Sequence, residues 1–84
     1  MSTKAAVVYT QAGCQPCKAA IRWLERNGAP VVVKELNEGL RERFRRAGHL
    51  QSPVIELWES TEYGWEIEEV ISGYKPEKLK AFFL

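Results

Sequence analysis

Eighty-four residues with a formal net charge of +1 at pH 7 suffice for one domain, residues 1–84, with a single modest core. The near-neutral balance argues against nucleic acid as a default partner, and no apolar run reaches the roughly eighteen residues a membrane span requires. The charge is unevenly spread all the same: residues 1–46 hold nine Lys/Arg and four Glu, residues 47–84 three and seven.

Met1-Ser2-Thr3-Lys4 leads straight into an apolar run rather than a secretory signal, so a cytoplasmic protein is expected. Ala5-Ala6-Val7-Val8-Tyr9 is short, continuous and apolar, which predicts a strand buried on both faces. After Thr10 to Gly13, the residues Cys17, Ala20, Ile21 and Leu24 recur at helical spacing, while Lys18, Arg22, Glu25 and Arg26 face water. Asn27-Gly28-Ala29-Pro30 stops that helix. Val31 to Leu36 is rich in β-branched residues and predicts a second strand, parallel to the first because a helix joins them. Asn37 caps a second helix whose narrow apolar stripe is Leu40, Phe44 and Ala47, ended by Gly48. Arg41, Arg43, Arg45 and Arg46 crowd it. With Glu38 and Glu42 interleaved, a solvated face is a better reading than an anion or nucleic-acid patch.

Pro53 opens a third strand, Val54 to Trp58, at a position where an N–H is not yet needed. Ser60 to Gly64 predicts a hairpin loop of about five residues. Trp65 to Ile71 forms the fourth strand, with Trp65 and Ile67 alternating with Glu66 and Glu68. Ser72-Gly73-Tyr74-Lys75 turns the chain, and Pro76 starts a last helix that docks Leu79, Phe82 and Phe83. The order is β-α-β-α-β-β-α.

The chemistry is carried by Cys14-Gln15-Pro16-Cys17, which holds both cysteines of the chain at the start of the first helix. Two thiols three residues apart across a helical turn can close a small disulfide ring. The unpaired N–H groups and the positive dipole end of that turn favour a thiolate, the form that attacks disulfides. Pro16 fits the first turn, where its missing N–H costs nothing. The pair could instead be half of a zinc site, but His49 is the only histidine and tetrahedral zinc needs four ligands. A static disulfide gains little from so short a loop, and chance packing is the blandest account. C-x-x-C beside a β-α-β pattern favours a dithiol redox site. Cys14, at an exposed tip, is expected to attack, and Cys17, facing the sheet, to resolve.

Cys14-Gln15-Pro16-Cys17, Ser52-Pro53-Val54 and Ser72-Gly73-Tyr74, in this order and spacing, resemble a glutaredoxin of the thioredoxin-fold superfamily. Leu50-Gln51-Ser52-Pro53-Val54 and Ile71-Ser72-Gly73-Tyr74-Lys75-Pro76 are similar, in more detail, to the corresponding stretches of the NrdH-redoxins. The resemblance implies an α/β thioredoxin/glutaredoxin-like fold, a four-stranded mixed sheet flanked by three helices. It implies a cis Pro53 beside the dithiol and a Ser52 backbone that pairs with an extended substrate segment. Gln15, Pro16, Ser72, Gly73 and Tyr74 are implied as further substrate-binding residues. Electrons are implied to come from thioredoxin reductase and pass to a class Ib ribonucleotide reductase, with no cofactor and no metal, through a monomer. Ile71 stands where these relatives carry tryptophan, and the hairpin is longer and acidic, with Glu56, Glu59, Glu62, Glu66, Glu68 and Glu69. That acidity reads as a solubilising edge.

Glutathione use is disfavoured by the same comparison. Glutaredoxins that bind it follow the glycine of the last turn with a small residue and polar groups, whereas this chain has Tyr74, Lys75, Pro76 and Glu77. A glutathione-dependent glutaredoxin nevertheless stays an alternative, as does an arsenate or general thiol reductase. A soft-metal carrier using the two sulfurs is a third reading. It is opposed by the β-α-β-β-α-β order of small metal chaperones.

Overall fold

Strand β1 (Lys4–Thr10) lies inside the sheet, and its alternation decides which face becomes the core. Ala6 and Val8 are fully buried, while Ala5 and Val7 on the other face are only half-buried. Tyr9, on the Ala5/Val7 face, is buried as well, so the burial on both faces expected from the apolar run is complete on the Ala6/Val8 face and partial on the other. The computed structural model describes residues 3–84, and the expectation for Met1 and Ser2 lies outside them. Helix α1 (Gln15–Arg26) returns the chain so that β2 (Val31–Glu35) pairs parallel to β1, with Ala6 opposite Val31. After α2 (Glu38–Arg46), β3 (Val54–Thr61) and β4 (Gly64–Ser72) add antiparallel, giving the order β2-β1-β3-β4. Helix α3 (Pro76–Phe83) closes the fold with a proline in its first turn.

Ala6 and Val8 of β1, Ile55 and Leu57 of β3, and Ile71 of β4 meet Ala20 and Leu24 of α1 and Leu79 of α3 in one cluster. Lys4 Nζ bonds Phe82 O at 2.9 Å and lies 5.0 Å from the Phe82 ring centroid, which ties the end of α3 to the start of β1. The opposite face carries α2 alone. No α2 residue is fully buried, and its main anchor is Phe44 against Tyr9, centroids 5.0 Å apart. Burial first, and the Glu56 carboxylate second, push the Tyr9 hydroxyl above its ordinary range; it donates to Glu56 Oε1 at 3.2 Å.

Two features of the hairpin depart from the sequence pattern. The predicted five-residue loop is a two-residue turn, Glu62-Tyr63, between Thr61 and Gly64. Thr61 Oγ1 makes the turn by accepting the Tyr63 N–H at 3.1 Å and donating to Gly64 O at 3.0 Å. A register shift at Leu57/Trp58 then leaves Glu68 without an opposite residue, so the β4 alternation breaks and Trp65 and Ile67 stay about half exposed. No helix among the described residues is long and apolar enough to cross a membrane.

Candidate active site

Leu36 N–H bonds Thr10 O at 2.8 Å where β1 gives way to the loop that carries Cys14. Cys14 is the N-cap of α1: its backbone is extended (φ −85°, ψ 105°) and its Sγ accepts the Cys17 N–H at 3.1 Å. The sulfur thus takes the place of the side-chain oxygen that usually satisfies this orphan donor. No acidic residue lies in the first turn to oppose negative charge there. Cys14 and Cys17 are joined as a disulfide with Cα atoms 5.2 Å apart. Cys14 is 9% exposed and Cys17 2%, so the first sulfur sits in a recess rather than on an open tip.

A groove of about 780 Å³ opens over Cys14. Gln15 and Pro16 line it from α1, Ser52 from the segment before β3, and Gly73 and Tyr74 from the turn after β4. The Ser52–Pro53 peptide is cis. Pro53 is buried beneath the groove, and its carbonyl accepts the Gly73 N–H at 2.7 Å, so the two loops are bonded to each other. No backbone partner meets Ser52 N–H or C=O among the described residues, which leaves both for an added strand. Gly73 has φ +80°, and a Cβ there would come within 2.5 Å of Gln51 Oε1. Gly73→Ala is accordingly expected to lower stability by about 1–2 kcal/mol through the left-handed backbone and to push Gln51 into the groove. Denaturant unfolding read beside disulfide turnover checks both effects.

A sequence model of the glutaredoxin family matches residues 6–60, which include Cys14, Cys17 and Pro53. The chain belongs to the glutaredoxin family. Solved thioredoxin-fold structures superpose on nearly its whole length. The thioredoxin-like protein BC3987 matches with TM-score 0.62 and 25% identity, over 93% of this chain and 99% of that one. Thioredoxin from Trichomonas vaginalis gives 0.65 and 15% (93% and 74%), and thioredoxin f2 from Chlamydomonas reinhardtii 0.62 and 22% (96% and 76%). No curated protein matches the sequence. The expected α/β fold, a four-stranded mixed sheet with three helices, is the one observed. Family, fold and paired cysteines together make the protein a thiol–disulfide oxidoreductase.

Around this glutaredoxin dithiol the predicted residues separate into two groups. Gln15, Pro16, Ser52, Gly73 and Tyr74 share the groove with Cys14. Cys17 and Pro53 lie beneath it, and Ser72 is the last residue of β4, opposite Val54. Tyr74 combines two roles weighed separately for it, since it packs on the core and lines the groove. Sequence reading missed Gln11, Ala12 and Gly13, which adjoin Cys14, and Leu50 and Gln51, which adjoin Ser52. Leu50 gives the clearest missed signal: a large apolar side chain, 75% exposed, at the rim of the site. Among the described residues no His, Asp or Glu joins the two cysteines in a metal-ligating group of three. The α2 arginines are all exposed, as expected, and Arg41 and Arg45 also line a second cavity beside the groove.

Proposed function

We propose that this protein is a cytoplasmic protein-disulfide reductase of the NrdH-redoxin kind, recharged by thioredoxin reductase and passing electrons to a ribonucleotide reductase. The observation that carries this reading is Tyr74. Directly after Gly73, it lines the groove where a glutathione-binding relative has a small residue. The next residue, Lys75, caps α3 without a side-chain hydrogen bond, and Pro76 offers no N–H to a ligand carboxylate. The groove thus joins one aromatic residue to the unpaired Ser52 backbone, suited to an extended polypeptide paired along Ser52.

The chemistry is thiolate exchange. Cys14 Sγ⁻ attacks one sulfur of the partner disulfide, so the Cys14–partner bond forms and the partner S–S bond breaks, releasing a thiolate that takes up a proton. Cys17 then loses its proton and attacks Cys14 Sγ, closing Cys14–Cys17 and releasing the second partner thiol. Two electrons and two protons pass to the partner, and the reductase returns them. Turnover of a protein disulfide with NADPH and thioredoxin reductase is expected to exceed turnover with glutathione and glutathione reductase at least about tenfold, the scale of one misplaced binding group. Equal or reversed rates reject the reading in favour of a glutathione-dependent glutaredoxin.

A further inference from the structure

The two faces of the sheet are covered unequally. Four strands about 4.8 Å apart make a face about 19 Å wide, room for two helices about 10 Å across. On the core face α1 and α3 cover it, through Ala20, Leu24 and Leu79. On the other face nine-residue α2 lies alone, anchored by Phe44 on Tyr9. The register places Val7, Glu56 and Val70 in one row across that face, Trp58 and Ile67 in the next, and Trp65 beyond them opposite Ser60. We infer that this uncovered half is a docking surface for an amphipathic cationic helix of a protein partner, seated beside α2 with a lysine or arginine on Glu56.

Three observations carry it. Trp65 and Ile67 are 51% and 45% exposed, and Val7, Trp58 and Val70 are half-buried, so an apolar surface with two tryptophans meets water where a second helix would lie. A carboxylate stands in its middle. Glu56 Oε1 accepts the Tyr9 hydroxyl and the Trp58 Nε1–H, each at 3.2 Å, so both bonds fall on one oxygen. Among the described residues Oε2 has no hydrogen-bond partner and Glu56 forms no ion pair. Residues 54–72 hold six glutamates and no Lys or Arg, so the field around the face is negative.

These features select one kind of occupant. A second copy related by a two-fold axis would set the hairpin glutamates against their own counterparts. A strand added along β4 would reach Trp65 and Ile67 but not Glu56, which lies one strand further in. A helix across the face reaches both, with apolar residues at i, i+3, i+4 and i+7 over Trp58, Ile67 and Val70 and a cation at Glu56. The ion pair gains from a carboxylate already half-buried and oriented by two donors. Helix α2 is itself basic and brings Arg43 towards Tyr9, so the occupant's cations belong on the hairpin side of Glu56. Ala5 stands opposite Trp58, and β1 runs five residues on to Thr10 before the dithiol loop, about 17 Å at 3.3 Å per residue. A partner held on this face therefore leaves the groove over Cys14 open.

The test titrates the whole protein with synthetic peptides and follows its amide and indole N–H resonances by NMR. One peptide of about five helical turns carries lysine and leucine at helical spacing, a second carries glutamate and leucine at the same spacing, and a third alternates lysine and leucine as a strand would. The helical lysine peptide is expected to shift Val7, Trp58, Ile67 and Val70. It is expected to bind at least about tenfold tighter than the glutamate peptide, a ratio that shrinks as salt is added. Glu56→Gln keeps an oxygen for the Tyr9 and Trp58 donors and is expected to weaken binding about tenfold, the scale of a hydrogen bond to a charged group. Trp65→Ser/Ile67→Ser is expected to weaken it at least as much. Glu25→Gln, the same charge change on exposed α1, is expected to leave it unchanged. Equal affinity for the two helical peptides, or no shift with any, overturns the inference. Tighter binding of the alternating peptide with shifts confined to β4 makes the site a strand edge and overturns it, as do shifts centred on Cys14, which place the probe in the substrate groove. Weakening by Glu25→Gln equal to that by Glu56→Gln assigns the binding to net charge and overturns it too. A dimer mass in sedimentation, with resonances of this face moving on dilution, gives the face to a second copy and overturns it as well.

Discussion

Cys14→Ser is expected to abolish disulfide turnover, by roughly a thousandfold or more, the scale on which loss of a covalent nucleophile is felt. The variant is a clean test because serine is itself a favoured N-cap. Its hydroxyl can accept the Cys17 N–H that Cys14 Sγ now accepts at 3.1 Å, so the start of α1 survives and only the nucleophile is removed. Cys17→Ser is expected to behave differently. Cys14 still attacks, but nothing resolves the product, so the protein stops after one bond-forming step as a mixed disulfide. Intact-mass measurement after mixing with a peptide disulfide should show the added peptide, removed again by dithiothreitol. Serine at this position places a hydroxyl where the side chain is 2% exposed, so a loss of about 1–3 kcal/mol in stability is expected beside the trap. A Cys14→Ser protein that still turns over, or a Cys17→Ser protein that accumulates no adduct, would assign the roles the other way or dismiss the exchange mechanism.

The order of elements was legible because each rests on a local signal. The β-branched run Val31 to Val33, the 3.6-residue spacing of Cys17, Ala20 and Leu24, and the prolines that open β3 and α3 all act through their own neighbours. What stayed illegible depends on residues distant in sequence. The bulge opposite Leu57/Trp58 is a property of two strands together, so the alternation of Trp65 and Ile67 could not reveal that both stay half exposed. The two-residue turn depends on Thr61, a residue that strand and loop accept equally. On α2, sequence showed that arginines are many but not which way they point. Because Leu40 and Phe44 are only partly covered, the rotation of that helix follows from the single Tyr9–Phe44 contact rather than from a broad apolar stripe. At the site, the residue types around Cys14 were readable from resemblance. The recess that leaves Cys14 only 9% exposed was not, since it is walled by Leu50, Gln51 and Tyr74, which fold in from other parts of the chain.

That recess sharpens the second large effect, the unequal reactivity of the two thiols in the reduced protein. Sγ of Cys14 accepts an N–H at the leading end of α1, where the helix dipole favours negative charge. Cys17 lies one turn along and is 2% exposed, so a reagent must displace packed side chains to reach it. Iodoacetamide at neutral pH is therefore expected to modify Cys14 at least about tenfold faster than Cys17, since reactivity follows thiolate content and access. The sign of the pH dependence follows from the same argument. Only the thiolate reacts, so labelling of Cys14 rises as pH rises through its titration. Stabilisation by the helix end shifts that rise below the ordinary thiol midpoint of about 8.5. Peptide mapping of the alkylated protein across a pH series reads both quantities at once. Equal labelling of the two cysteines, or a Cys14 profile no lower than that of a free thiol, would remove the helix end as the source of the reactivity and with it the physical basis for Cys14 as the attacking sulfur.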